Sequence, residues 1–293
     1  MSTENRRILL IYNPTAGGRQ RARFDNVVAE LRKLACELTL AETHHRGHAE
    51  ELAREADAEA FDVIAACGGD GTVNEVINGL AGKNIALGII PLGTANVLAG
   101  EIGLPRDPQK IAEALSRGPI RAVHVGQANG RRFSMMAGIG FDALVVSRVS
   151  LTLKKWIGPL AYVWESMRQS SHYAFQSHDV TIDGVAYRPV SMVACKGRRY
   201  GGPYVAAPDA SLGDAEFHIV MMNGRGWLSV LRYGIALVLG RITAWRDVQL
   251  VSGREVIVSG RTGEPVQGDG DIIATLPLRI ALDPERVRMV YPA

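Results

Sequence analysis

The sequence predicts an α/β plus β protein: a parallel-sheet α/β domain followed by an antiparallel β domain of sandwich or distorted-barrel type. Three observations carry this. Over residues 1–125, apolar strand-like runs alternate with amphipathic helical stretches, the order that yields a parallel sheet covered by helices. After Ala122 the segments become short and β-rich, punctuated by Asn-Gly, Asp-Gly and Gly-Gly turns. A length of 293 residues also suits two cores better than one. The expected boundaries are 1–125 and 126–283, with residues 284–293 left open to pack back onto the first domain.

The elements follow in order. RILLIYN is a strand, and ARFDNVVAELRKLA is a helix that gathers Phe24, Val27, Val28, Leu31 and Leu34 on one side. CELTLAET and FDVIAAC are strands, with HAEELAREA as the helix between them. TVNEVINGLAG is a helix, IALGIIPLG a fourth strand, and TANVLAGEIGL and DPQKIAEALSRG two more helices. In the second domain HVGQANGRRFSMMAG, HDVTIDGVAYRPVSMVACKG, AEFHIVMMN and REVIVSG are strand segments. Helical insertions are expected around WIGPLAYVWESMRQSS and GWLSVLRYGIALVLGRI.

Chemistry concentrates in the turns that leave the parallel strands. In CGGDGTVNEVINGL a buried strand passes through Gly68, Gly69 and Gly71 into a helix with Val73, Val76, Ile77 and Leu80 on one face. Thr72 and Glu75 have capping-box spacing. Glycines before a helix start let a ligand approach the amides, the outline of a phosphate cradle. Neither the Walker A nor the G-x-G-x-x-G fingerprint is present. Asp70 would repel a bare phosphate but suits a magnesium ion, its water shell or a ribose hydroxyl. NPTAGG follows the first strand, with Thr15, Gly17 and Gly18 facing outward and Arg19, Arg21 and Arg23 behind as charge partners. In PLGTANVLA, Gly93 turns the chain and Thr94 is expected to cap the next helix. Ligands of such sheets bind beyond the carboxyl ends of the strands, where all three loops lie.

Composition excludes several classes. Apolar residues make up 47% and charged ones 22%, with a net charge of +3 and no long basic block, so nucleic acid is not an expected partner. Cys36, Cys67 and Cys195 are widely spaced in apolar patterns and read as reduced core thiols. With no signal-peptide pattern and no uncharged apolar run of spanning length, the expectation is a cytoplasmic protein that touches the inner membrane face peripherally. Lys154, Lys155 and Trp156 flank one helical insertion; Trp227, Arg232, Arg241, Trp245 and Arg246 border the other. Aromatic and basic residues around a short apolar helix suit a membrane interface, as they also suit packing on the β domain. His44 and His45 are adjacent and His48 follows a glycine, so a helical ligand pair of the metalloprotease kind is not expected, and the three read as loop residues with at most a minor nucleotide contact.

NPTAGG, GGDGTVNEVINGL and PLGTANVLA, in this order, resemble the signature loops of the diacylglycerol kinase catalytic-domain family, with its bacterial soluble lipid kinases and its sphingosine and ceramide kinase relatives. The resemblance continues in AGIGFDALV, GGPYVAAPDASLGDAEF and VQGDGD. It implies a nucleotide domain of NAD kinase and diacylglycerol kinase type, with an antiparallel β-sandwich. It implies ATP and Mg2+ as cofactors and a lipid acceptor at a membrane surface, diacylglycerol or a sphingolipid; a homodimer stays open. Asn13, Pro14, Thr15, Ala16 and Gly17, then Gly69, Asp70, Gly71, Thr72, Val73, Asn74 and Glu75, with Thr43 and Thr94, are the implied ATP contacts. Ser211, Asp214 and Glu216 are the implied magnesium ligands, some through backbone carbonyls. Asp271 is the implied catalytic base, and Asp70 the second acid expected in catalysis.

The chain departs from that pattern at Ala16, where serine is usual, and at Gly18, where lysine is usual, so Arg19 or Arg21 is expected to neutralise the phosphates. Ala215 replaces a glycine and Asp271 a glutamate. An NAD kinase-like activity on a soluble substrate and a non-catalytic nucleotide- or lipid-binding regulator are the alternatives.

Overall fold

The computed structural model describes residues 6–16, 20–141, 143 and 175–292. The chain divides into two compact units, Met1–His124 with Pro284–Ala293, and Val125–Asp283.

The first unit is built on one sheet, in the order β2 (Glu37–Glu42), β1 (Arg7–Tyr12), β3 (Val63–Gly68), β4 (Ala86–Pro91), β18 (Val287–Val290), β5 (Ile120–Val123). The strands β2, β1, β3, β4 and β18 run parallel, and β5 pairs antiparallel with β18. β3 and β4 are buried along their whole length, as expected of central parallel strands covered on both faces, whereas β2 is largely exposed at the edge. The register pairs Tyr12 with Cys67 and Cys67 with Ile90, so the loops after β1, β3 and β4 leave from one row.

Five helices connect these strands: α1 (Arg21–Lys33), α2 (His48–Glu55), α3 (Asp70–Gly79), α4 (Val97–Glu101) and α5 (Pro108–Arg117). Phe24, Val27 and Leu31 of α1 share one core with Ile111, Ala112 and Leu115 of α5 and with alternate residues of β1, β3 and β4. α2 and α3 touch closely at Gly79, where an added Cβ would lie 2.4 Å from the Glu50 carbonyl. α5 starts on Pro108 with the Asp107 carboxylate accepting from the Lys110 amide at 3.0 Å.

The second unit is a pair of antiparallel sheets. One follows the order β10 (Val185–Tyr187), β9 (Asp179–Ile182), β14 (Glu255–Ser259), β17 (Leu278–Leu282), β6 (Gly126–Ala128), β7 (Arg131–Phe133). The other follows β13 (Val248–Gly253), β12 (Phe217–Met222), β11 (Ser191–Cys195), β8 (Met136–Ile139), β15 (Pro265–Gly268), β16 (Asp271–Thr275). Phe133, Val180, Val256 and Ile280 from the first pack with Met192, Phe217, Ile219 and Val266 from the second in one core, the arrangement of a sandwich. Three of its hairpins turn on Asn129-Gly130, Asp183-Gly184 and Asp269-Gly270, each with positive φ at both residues, the geometry for which Asn-Gly and Asp-Gly are selected.

Between β12 and β13 lies α6 (Gly226–Val238), which buries only Tyr233 and Ala236. Trp227, Leu228, Leu231, Ile235 and Val238 stand exposed along it. Arg232, expected at the membrane border, is instead paired with the Asp247 carboxylate and lies 4.7 Å over the Trp245 ring. The Tyr233 hydroxyl donates to the same carboxylate at 2.6 Å, so Arg232 anchors α6 to the sandwich. The insertion around WIGPLAYVWESMRQSS, with Lys154, Lys155 and Trp156, lies outside the described residues.

One ion pair is buried in the sandwich. The Arg132 guanidinium donates to both oxygens of Asp283, at 2.5 and 2.9 Å, and Gln127 donates to the same carboxylate at 2.5 Å. Replacing Asp283 by alanine removes the carboxylate that the buried Arg132 guanidinium meets with two hydrogen bonds and is expected to destabilise the second unit by about 3–5 kcal/mol. Urea denaturation followed by tryptophan fluorescence checks it; Asp283→Asn should lose less, because it keeps an acceptor.

Candidate active site

The three loops of the first unit are bonded to one another. Asn13 follows β1 and its amide donates to the Cys67 carbonyl at 3.0 Å. Its side-chain oxygen accepts from the Thr15 amide and hydroxyl, an Asx turn that shapes the Asn-Pro-Thr bend. Its side-chain nitrogen donates to the Thr72 hydroxyl at 3.1 Å, tying the first loop to the glycine turn. Thr72 lies directly over Gly68, where an added Cβ would sit 2.3 Å from its hydroxyl oxygen. The glycine turn meets the third loop backbone to backbone: a Cβ on Gly93 would come within 2.6 Å of the Gly69 Cα. Thr43 joins from the end of β2, its amide donating to the Tyr12 carbonyl at 2.8 Å and its side chain buried.

Three expectations about capping need correction. Thr72 is not a helix cap: α3 begins at Asp70, with Gly69 as the capping residue. Glu75 does not close a box on its own helix. Its two oxygens accept from the Gly47 and Ala49 amides at 2.9 and 3.2 Å, capping α2 across the helix pair. Thr94 caps nothing and is exposed; the residue before α4 is Asn96, in the left-handed region at φ 48°. Asn96 holds Gly93 from both sides, accepting from its amide at 2.9 Å and donating to its carbonyl at 2.7 Å. The cap of α4 comes from Asp70, whose Oδ1 accepts from the Val97 amide at 2.6 Å. The acid inside the glycine turn therefore holds the neighbouring loop. Asn96 was legible as a residue type, since Asn tolerates the left-handed region and favours helix starts.

Arg21 lies 5.1 Å over the Tyr12 ring and pairs with Asp25 at 3.2 Å, next to the first loop; the Tyr12 and Asp25 groups hold its guanidinium above the usual arginine range. Arg23 reaches the Pro91 carbonyl at 3.4 Å. Gly17, Gly18 and Arg19 lie outside the described residues. Pro14 and Ala16 sit in the first loop, and Gly71, Val73 and Asn74 lie in the first turns of α3, the last two buried. His48 is the first residue of α2 and not a loop residue; its Nδ1 accepts from the His44 amide at 3.1 Å, and its ring stacks with those of His44 and His45. Ligand atoms of His45, His48 and Glu51 fall within 4.8 Å of one another, a grouping that spacing along the chain did not reveal.

In the second unit, Asp269 has φ 52° and its carboxylate collects four donors: the Ser134 amide and hydroxyl and the Met135 and Met136 amides, at 2.7 to 3.1 Å. It thus fixes the link between β7 and β8. Asp271 opens β16, paired with Gly268 across the hairpin and partly exposed.

Ser211, Asp214 and Glu216 are brought together, but not around a space for magnesium. The fully buried Lys196 ammonium donates to their backbone carbonyls, at 3.4 Å to Ser211, 2.5 Å to Asp214 and 3.1 Å to Glu216. The Asp214 carboxylate accepts from the Ser211 amide at 2.9 Å and lies 3.6 Å from His218 Nε2. Burial pulls the ammonium down to about 8, against the upward pull of the Asp214 and Glu216 charges. A magnesium ion on the same carbonyls would have to compete with this ammonium for one set of oxygens, and two cations that close together repel. The residues present do not fit the ion there. Lys196 escaped sequence reasoning, although a lysine directly after the buried run SMVAC was a signal.

The fold and its loop cluster define a protein of the class shared by NAD kinases and diacylglycerol kinases, a parallel nucleotide-type sheet followed by a β-sandwich. Residues 7–128 match the model of the diacylglycerol kinase catalytic domain, and residues 135–291 that of the YegS C-terminal NAD kinase beta sandwich-like domain. A diacylglycerol kinase of Bacillus subtilis is 30% identical over 93% of this chain and 92% of its own length. A Pseudomonas aeruginosa protein named "Probable lipid kinase YegS-like" is 31% identical over 98% of this chain and 95% of its own. The crystal structure of a diacylglycerol kinase from Bacillus anthracis superposes with a TM-score of 0.73 at 23% identity, covering 99% of this chain and 98% of that one. The chain belongs to the diacylglycerol kinase family and is a kinase of its lipid-kinase branch.

The cap from Asp70 is directly testable. Asp70→Ala should lower stability by about 1 kcal/mol, within the usual range for a lost cap, whereas Asp70→Asn keeps an oxygen acceptor and most of that stability. Chemical denaturation of the two variants separates this holding role from any contact with ligand.

Proposed function

We propose that this protein transfers the γ-phosphoryl group of ATP to the hydroxyl of a membrane lipid, diacylglycerol or a sphingolipid such as ceramide or a sphingoid base. The observation that carries the reading is the bonded cluster of Asn13, Gly69–Thr72 and Gly93–Asn96 at one row of parallel strand ends. Phosphates bind at such positions because the first amides of a helix have no intrahelical acceptor and the helix dipole favours negative charge. ATP is a substrate here and brings its own magnesium ion, so the reading does not depend on the Ser211–Glu216 loop. Phosphoryl transfer asks mostly for positioning and neutralisation of charge. The loop amides and the Asn13, Thr15 and Thr72 side chains position the nucleotide, and Arg21 neutralises phosphate charge beside the first loop. Asp271 accepts the proton of the lipid hydroxyl; Asp269, with its carboxylate committed to Ser134, Met135 and Met136, leaves that role to its neighbour.

No helix among the described residues is long and apolar enough to cross a membrane. The lipid is met at the surface instead. Trp227, Leu231, Ile235 and Val238 recur at one stripe of α6 and remain exposed, with the exposed Arg241 and Arg246 just beyond, the composition of a helix that lies in a bilayer interface.

Labelled ATP offered with diacylglycerol, ceramide, sphingoid base and NAD tests the reading. Label is expected on a lipid, and label on NAD alone would overturn it. With the lipid identified, Asp271→Asn should lower turnover by roughly two to four orders of magnitude, the range for losing a general base, while Asp271→Glu keeps measurable activity. Replacing Leu231 and Ile235 by serine should weaken sedimentation with phosphatidylglycerol vesicles while leaving ATP binding intact; unchanged sedimentation removes α6 from the membrane contact.

A further inference from the structure

Lys196 has no part in the reading above, yet it is fully buried and its ammonium is surrounded by main-chain oxygens from a single loop. An ammonium has three hydrogens to donate, and three carbonyls converge on it. Its backbone is equally anchored, because the Lys196 amide at the end of β11 donates to the Met135 carbonyl at 2.7 Å. Met135 is itself held by Asp269 through its amide at 2.8 Å. The cation therefore stands on a rigid base, the condition for holding a loop in place rather than following it.

The loop it meets buries Ala210 and Leu212, and its Asp214 amide donates to the Ser211 carbonyl at 3.1 Å. Residues 210–216 turn once, at Leu212-Gly213, with Ser211, Gly213 and Ala215 exposed, and are stitched internally by the Asp214 carboxylate accepting from the Ser211 amide and the Ser211 hydroxyl accepting from the Gly213 amide. Three carbonyls that point to one spot repel one another unless a positive charge lies between them. We infer that Lys196 is the resident cation of this loop: its ammonium fills the carbonyl cluster of Ser211, Asp214 and Glu216, so the loop is ordered without any divalent ion.

Two consequences distinguish this from a loop built to take a metal. The order of residues 211–216 is insensitive to magnesium, and it depends on a charge supplied by the residue that follows β11. Hydrogen exchange of the full chain, without nucleotide or lipid, reads both, and its outcome is independent of whether the protein phosphorylates a lipid. In the unaltered protein, amide exchange over residues 211–216 should be the same with excess MgCl2 and with EDTA. Slower exchange there with magnesium would overturn the inference. In Lys196→Met, which keeps the bulk of the side chain and removes the charge, exchange over the same residues should rise at least about tenfold, the effect of losing one charge-assisted hydrogen bond. Amides of β1 and β3 should keep their protection. Unchanged exchange at residues 211–216 in that variant would also overturn the inference. Should Lys196→Met not fold, the magnesium and EDTA comparison on the unaltered protein still decides.

Discussion

The first unit depends on one close approach, that of the Gly69 and Gly93 backbones. Two loops from adjacent strands can touch at main-chain distance only where neither carries a side chain, and a single Cβ on Gly93 would come within 2.6 Å of the Gly69 Cα. Around that contact the polar groups fall into place. Asp70 caps α4, Asn96 clasps Gly93, and Asn13 reaches Thr72 from the third direction. Each of these bonds satisfies a backbone group, or orients one, that a loop at the strand ends would otherwise leave to water. The result is a set of loops whose backbone is fixed by its own hydrogen bonds, the preorganisation that the proposed phosphate site needs.

The second unit uses a similar device with the opposite sign. Asp269 gathers donors from Ser134 to Met136, the Met135 carbonyl receives the Lys196 amide, and the Lys196 ammonium gathers the carbonyls of the Ser211–Glu216 loop. An anion and a cation, each buried or half-buried and each met mainly by main-chain partners, lie at the two ends of one short relay. Buried charges are tolerated on these terms, because the peptide groups replace the water that burial removes. Asp271 begins its strand two residues from the anionic end, on a hairpin that the same carboxylate holds.

What the sequence alone determined is the alternation of elements, their order, the sandwich hairpins and the family. β-α periodicity, Asn-Gly and Asp-Gly turns and glycine loops are local properties, readable within a few residues. Even so, β2 and β3 were legible as strands, but the place of β18 between β4 and β5 is a pairing across the whole chain. What only the tertiary structure decided is the partner of each polar side chain. Thr72 and Glu75 match a capping box by spacing, yet Glu75 caps α2 because Gly79 lets the two helices pack closely enough for the carboxylate to reach across. Asp70 was visible as an acid in a glycine turn, and its bond to Val97 was not. Ser211, Asp214 and Glu216 carry the residue types of a metal loop, while the cation that meets them comes from Lys196, just after β11 and fifteen residues before Ser211. A hydrogen bond joins whatever the fold brings within about 3 Å, and that proximity is set by packing over the whole chain rather than by spacing along it.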